Sequence, residues 1–95
     1  MKIGVGSVVM SAAGRDKGRY FVVTEVIDGN YVKISDGDLR PQERAKLKKI
    51  KHLKPNGDVL SKINEKLETG RQVFDAELRS ALRVYNDNNQ SREEQ

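Results

Sequence analysis

The chain has 95 residues, 18 basic and 14 acidic, for a formal net charge of +4, and it contains no cysteine. That length supports one small domain with at most an appendage and excludes a deep multi-residue catalytic pocket; the missing cysteines exclude a disulfide framework and a thiolate metal site. A reducing, cytoplasmic setting is the expected one. The charge is uneven: residues 1–55 carry twelve basic and six acidic side chains, the remainder six and eight. The affinity for phosphate that a basic balance implies therefore belongs to the N-terminal part.

In chain order, Ile3 to Ala13 is uncharged and follows Lys2, but Gly4, Gly6 and Ser7 dilute it too far for the apolar core of a signal peptide. No stretch approaches a membrane span. Strands are expected at Ser7 to Ser11, Tyr20 to Ile27 and Tyr31 to Ser35, each rich in β-branched or aromatic residues and bounded by Gly, Asp or Asn. Asp28-Gly29-Asn30 joins the last two as a short antiparallel hairpin loop, with Gly29 or Asn30 able to take positive φ. Tyr20 to Ile27 is apolar on both alternating faces except at Thr24 and Glu25, which suits a closed or strongly curled sheet; pattern alone leaves its inward face open. Asp36-Gly37-Asp38 reads as a turn, and Arg40 to Lys49 as an exposed polar loop.

Lys48 to Pro55 reads as a last short strand, in which the spacing of Ile50 and Leu53 calls for a bulge or a 3₁₀ turn. The period then becomes helical, with Val59, Leu60, Ile63 and Leu67 on one stripe, Asp58 as cap and Gly70 as terminator. Asp75 is expected to cap a second helix from Ala76 to about Tyr85, with Leu78, Leu82 and Tyr85 as its stripe and Phe74 as a staple. The expected organisation is a barrel over residues 1–55, a helical extension over 56–85 and a disordered polar tail over 86–95, hence mainly β with C-terminal α.

Two groups of residues carry chemistry. In Gly14-Arg15-Asp16-Lys17-Gly18-Arg19 the cations alternate, so an extended segment would project Arg15, Lys17 and Arg19 from one face, while Gly14 and Gly18 allow the backbone to approach a phosphate closely. An ordinary turn with solvated charges explains the same residues equally well. The second group, Arg40, Arg44, Lys46, Lys48, Lys49, Lys51 and Lys54, is opposed only by Glu43 and has the one-sidedness of a nucleic-acid patch. No amphipathic helix accompanies it, which argues against membrane binding.

His52 is the only histidine, so it has no partner for a metal site or a catalytic dyad, and it is read as a structural group or an added RNA contact. Asp36 and Asp38 are read as turn residues. The glycines of GVGSVVMSAAG are not followed by Gly-Lys-Ser or Gly-Lys-Thr and open no helix, so nucleotide hydrolysis has no support. No catalytic group, metal ligand set or cofactor fingerprint is found. Tyr20, Phe21 and Tyr31 could stack on bases if exposed, but strand aromatics in so small a domain are expected in the core.

The residues VVMSAAGRDKGRYFVVTEVIDGNYVKISDGDLR followed by KKIKHLKP resemble the KOW-domain RNA-binding proteins related to the large-subunit ribosomal protein fourteen-e family. The likeness spans the first 55 residues in two ordered blocks, SAAGRDKGRYFVV and IKHLKP, and has no counterpart in the helical part. It implies an SH3-like β-barrel of about five strands. It also implies contact of the KOW loop, through Gly14, Arg15, Lys17 and Gly18, with ribosomal RNA or another part of the translation machinery. Lys49, Lys51 and His52 belong to the second block. The resulting expectation is a non-enzymatic RNA-binding protein with the ribosome or ribosomal proteins as partners. The alternative is a protein-interaction adaptor that links translation or transcription machinery through its barrel and helical extension.

Overall fold

A computed structural model describes residues 3–93. Five strands form one antiparallel sheet: β1 (Ser7–Ser11), β2 (Tyr20–Val26), β3 (Tyr31–Ser35), β4 (Lys46–Lys49) and β5 (Leu53–Val59), in the order β4-β3-β2-β1-β5. Short 3₁₀ turns occupy Gln42–Arg44 and Ile50–His52, and two helices follow, α1 (Ser61–Glu68) and α2 (Asp75–Glu93). The sheet curls into the expected SH3-like barrel. The second 3₁₀ turn joins the edge strands β4 and β5 and is tied to the rest of the barrel: the Ile50 N–H donates to the Asn30 carbonyl at 2.8 Å, and the Ala12 N–H donates to the His52 carbonyl at 2.8 Å.

The double-sided apolar character of β2 has a plain cause. Phe21 and Val23 point into the barrel with Val9, Val32, Ile34 and Leu53. Val22 points out, with Val8, into a second layer formed by Ile63, Val73, Leu78 and Leu82 of the helical part. Burying each such side chain contributes about 1.5–3 kcal/mol, so neither layer is dispensable in a chain this small. The helices pack on the outer face of β1 and β2. Of their apolar stripe, Ile63, Leu78 and Leu82 are buried there, Leu60, Leu67 and Tyr85 partly so, and Val59 is exposed.

Tight backbone approaches fix that packing. A Cβ on Gly37 would lie 2.1 Å from the Asp75 carbonyl oxygen at the start of α2, and one on Gly6 would lie 2.6 Å from Asn64 Cβ of α1. Arg79 donates to the Gly37 carbonyl at 2.9 Å, and the Asn64 amide to the Val5 carbonyl at 2.7 Å. Lys66 and Glu77 tie the helices to each other at 2.6 Å.

Several expectations change. Arg40 to Lys49 is not all loop, because Lys46–Lys49 pairs with β3 through Tyr31↔Lys49 and Ile34↔Lys46; alternating lysines supplied the two-residue period that apolar residues usually reveal. The 3₁₀ turn reconciles Ile50 with Leu53, and β5 continues past Pro55 to Val59. Asp58 lies in β5 and accepts from the Tyr85 hydroxyl instead of capping α1, whose N-cap is Leu60. Asp75 accepts from the Gln42 N–H at 3.0 Å, while Glu77 accepts from the Phe74 N–H at 2.9 Å and closes the first turn of α2. Phe74 itself is exposed. No non-glycine residue has positive φ among the described residues, and Gly29 does not either; Asp28 Oδ1 instead holds the hairpin by accepting from Asn30 and Tyr31 N–H.

Of the stretch read as a polar tail, Asn86 is buried and pairs with the Tyr20 backbone, its Oδ1 accepting at 2.9 Å. Helix α2 continues to Glu93, and the remaining positions 94 and 95 lie outside the described residues.

Candidate nucleic-acid interface

The β1–β2 loop is a compact turn rather than an extended segment. Gly14 and Gly18 have φ of 84° and 89°, a region that side-chain-bearing residues rarely adopt, and the Arg19 N–H donates to the Asp16 carbonyl at 2.9 Å. Arg15, Lys17 and Arg19 therefore do not share one face. Arg15 and Lys17 are exposed at the tip. Arg19 turns back, and its Nε lies 2.6 Å from Asp36, a carboxylate only 1% exposed that also accepts from the Asp38 and Arg40 N–H groups.

The second basic run divides in the same way, and β4 is the reason. Lys46 and Lys48 stand opposite Ile34 and Val32, on the barrel-facing side of the strand, whereas Lys49 stands opposite Tyr31 on the other. Lys46 and Arg40 reach Asp16 of the loop at 3.4 and 3.3 Å. Lys48 is buried and donates to the Ala13 carbonyl at 2.9 Å. Burial pulls its ammonium below the ordinary lysine pKa, with Lys46 adding to the shift and Asp16 opposing it. Arg19, Arg40, Lys46 and Lys48 thus hold the loop in place. The acids Asp16 and Asp36 are the residues that the reading of the sequence undervalued; for Asp16 the signal was a lone carboxylate inside a basic stretch.

Arg15, Lys17, Lys49, Lys51 and Lys54 remain exposed, and among the described residues none has an ion-pair partner. The Ala12 to His52 hydrogen bond sets the 3₁₀ turn against the base of the loop, and Lys54 opposite Met10 continues that surface. His52 is half-buried on this turn. Arg44 is also exposed but stands apart, on the turn that Gln42 ties to Val73 and Asp75. Such an arrangement can meet several phosphates at once, with glycine backbone close to the contact. Among the described residues no group of acidic, histidine or cysteine side chains could hold a metal, and no helix is long and apolar enough to cross a membrane.

No family model matches the chain. Individual relatives do: it is 32% identical over 80 residues to "Large ribosomal subunit protein eL14" of Pyrobaculum calidifontis, covering 84% of this chain and 71% of that protein. The proteins of the same name from Pyrobaculum neutrophilum and Pyrobaculum arsenaticum are each 31% identical over the same shares. A match of 80 residues is longer than the barrel, so the likeness takes in at least part of the helical region.

Proposed function

The chain belongs to the large ribosomal subunit protein eL14 family, and on that basis we propose that it is a non-enzymatic RNA-binding protein that associates with the ribosome, ribosomal RNA being the ligand, through its KOW surface. The supporting observation is that the second 3₁₀ turn is hydrogen-bonded to the base of the loop, so that exposed cations from two separate parts of the sequence belong to neighbouring segments while others are spent on Asp16 and Asp36. Gly14, Gly18, Arg15, Lys17, Lys49, Lys51, His52 and Lys54 form the contact surface in this reading. Arg19, Arg40, Lys46 and Lys48 position it, and Arg44 is an outlying contact. Ribosomal proteins are partners on the same reading.

The double substitution Arg15→Ala with Lys17→Ala tests the proposal in a fluorescence anisotropy titration of a ribosomal RNA fragment across salt concentrations. Affinity should fall, and the log–log salt slope should become shallower by about 0.7–0.9 for each phosphate that is no longer neutralised. An unchanged affinity and slope would remove the loop from the interface.

A further inference from the structure

At the other end of β2 from the glycine loop lies a feature of different chemistry. An open cleft of about 430 Å³ is lined by Gly29, Asn30, Tyr31, Lys49, Ile50 and Lys51, between the β2–β3 hairpin and the second 3₁₀ turn. Its lining mixes polar and apolar surface: Tyr31 is half-buried, and Ile50 packs against the barrel interior. Its rim is cationic, with Lys49 and Lys51 exposed and, among the described residues, without a carboxylate partner. Gly29 contributes no side chain, and nothing lies within 4 Å of where its Cβ would be. The nearest acid in sequence, Asp28, directs Oδ1 back into the hairpin toward the Asn30 and Tyr31 N–H groups at 2.8 and 2.9 Å.

An aromatic ring beside two unpaired lysines, with a side-chain amide at the edge, matches the parts of a nucleotide: a base with a π face and polar edge, joined to a phosphate. Base stacking on an aromatic is sequence-tolerant and requires a base that is not already stacked in a duplex. The geometry points to this cleft as a subsite for one unpaired ribonucleotide, its base against the Tyr31 ring and within reach of the Asn30 amide, its flanking phosphates on Lys49 and Lys51. This subsite rests on the RNA-binding reading above and adds to it a preference for single-stranded or bulged RNA, which loop cations alone would not confer.

The test compares the full chain with Tyr31→Phe, Tyr31→Leu and the Arg15→Ala, Lys17→Ala double variant. Each is titrated with a short fluorescein-labelled single-stranded RNA and with the duplex made from it. Tyr31→Phe keeps the ring and should bind as the parent does. Tyr31→Leu keeps the apolar bulk and should weaken the single strand by at least about fivefold, leave the duplex nearly unchanged and preserve the salt slope. Matching circular dichroism spectra and thermal midpoints confirm that the leucine variant is folded, and a leucine variant that fails to fold is replaced by Asn30→Ala with Lys51→Ala, which should lower the single-strand preference in the same way.

Equal loss on single strand and duplex, or no loss with either set of variants, would overturn the subsite. Should the loop variant weaken binding while the Tyr31 and Asn30 variants do not, the RNA-binding reading survives and the subsite does not. Should the loop variant have no effect while Tyr31→Leu does, the subsite stands and the loop proposal fails.

Discussion

Lys48 and Lys49 are adjacent and chemically identical, yet one is buried against the Ala13 carbonyl and the other reaches solvent beside Tyr31. The same contrast runs through the whole basic half of the molecule. Arg19, Arg40, Lys46 and Lys48 form an inner tier engaged by Asp16, Asp36 and a backbone carbonyl, whereas Arg15, Lys17, Lys49, Lys51 and Lys54 form an outer tier available to a ligand. Positive charge in a sequence therefore has two uses here, and strand alternation decides between them. Inner-tier substitutions should act on folding, outer-tier ones on RNA affinity.

The severest change removes what supports both tiers. Cutting the chain after Pro55 deletes the end of β5 and uncovers Val8 and Val22, which are fully buried beneath Leu78 and Leu82. The product should show no cooperative thermal transition and no RNA binding, because a barrel of this size cannot lose one of its two apolar layers.

A narrower change is Asp36→Ala. It leaves Arg19 without its buried partner and frees the Asp38 and Arg40 N–H groups, and it should cost about 3 kcal/mol in urea denaturation. Lys51→Ala, on the outer tier, should change stability by no more than about 0.5 kcal/mol. If the two variants lost stability equally, the division into tiers would be wrong.

The mildest change is the most diagnostic. Lys48→Met loses one hydrogen bond and also relieves the desolvation of a buried ammonium, so at neutral pH its stability should move by no more than about 1 kcal/mol. Its pH dependence should differ from the parent's. The Lys48 pKa is lowered in the folded protein from an ordinary value of 10.5, so in the alkaline range below that value the unfolded chain holds more protons. Stability then gains an increment that is fully present above the unfolded pKa and is lost as pH falls through the folded one. Denaturation across alkaline pH should show this increment in the parent and not in Lys48→Met.

Much of the fold was legible. β1, β2 and β3 carry β-branched runs with clear turn residues between them, and the two-faced apolar pattern of β2 pointed to a closed or strongly curled sheet, though not to the helices that cover its outer face. The strand β4 was not legible, since its period is written in lysines, and neither was the reach of α2, because Asn86 becomes a packing residue only when the Tyr20 backbone is placed against it. Of the candidate site, the residue types and the two basic clusters were evident. Which cations remain free was not, for that depends on carboxylates up to 30 positions away, as Lys46 and Asp16 show.

The glycine loop makes the division concrete. Residue identity alone dictates that Gly14 to Gly18 turns tightly and carries charge, because glycine tolerates positive φ and Arg and Lys keep their charge wherever they stand near water. It took the folded arrangement to assign Asp16 to Arg40 and Lys46, to bring Lys48 to the Ala13 carbonyl, and to leave Arg15 and Lys17 exposed. Those outcomes follow from strand register and barrel closure, which bring distant segments within hydrogen-bond range and give each side chain an inner or an outer face.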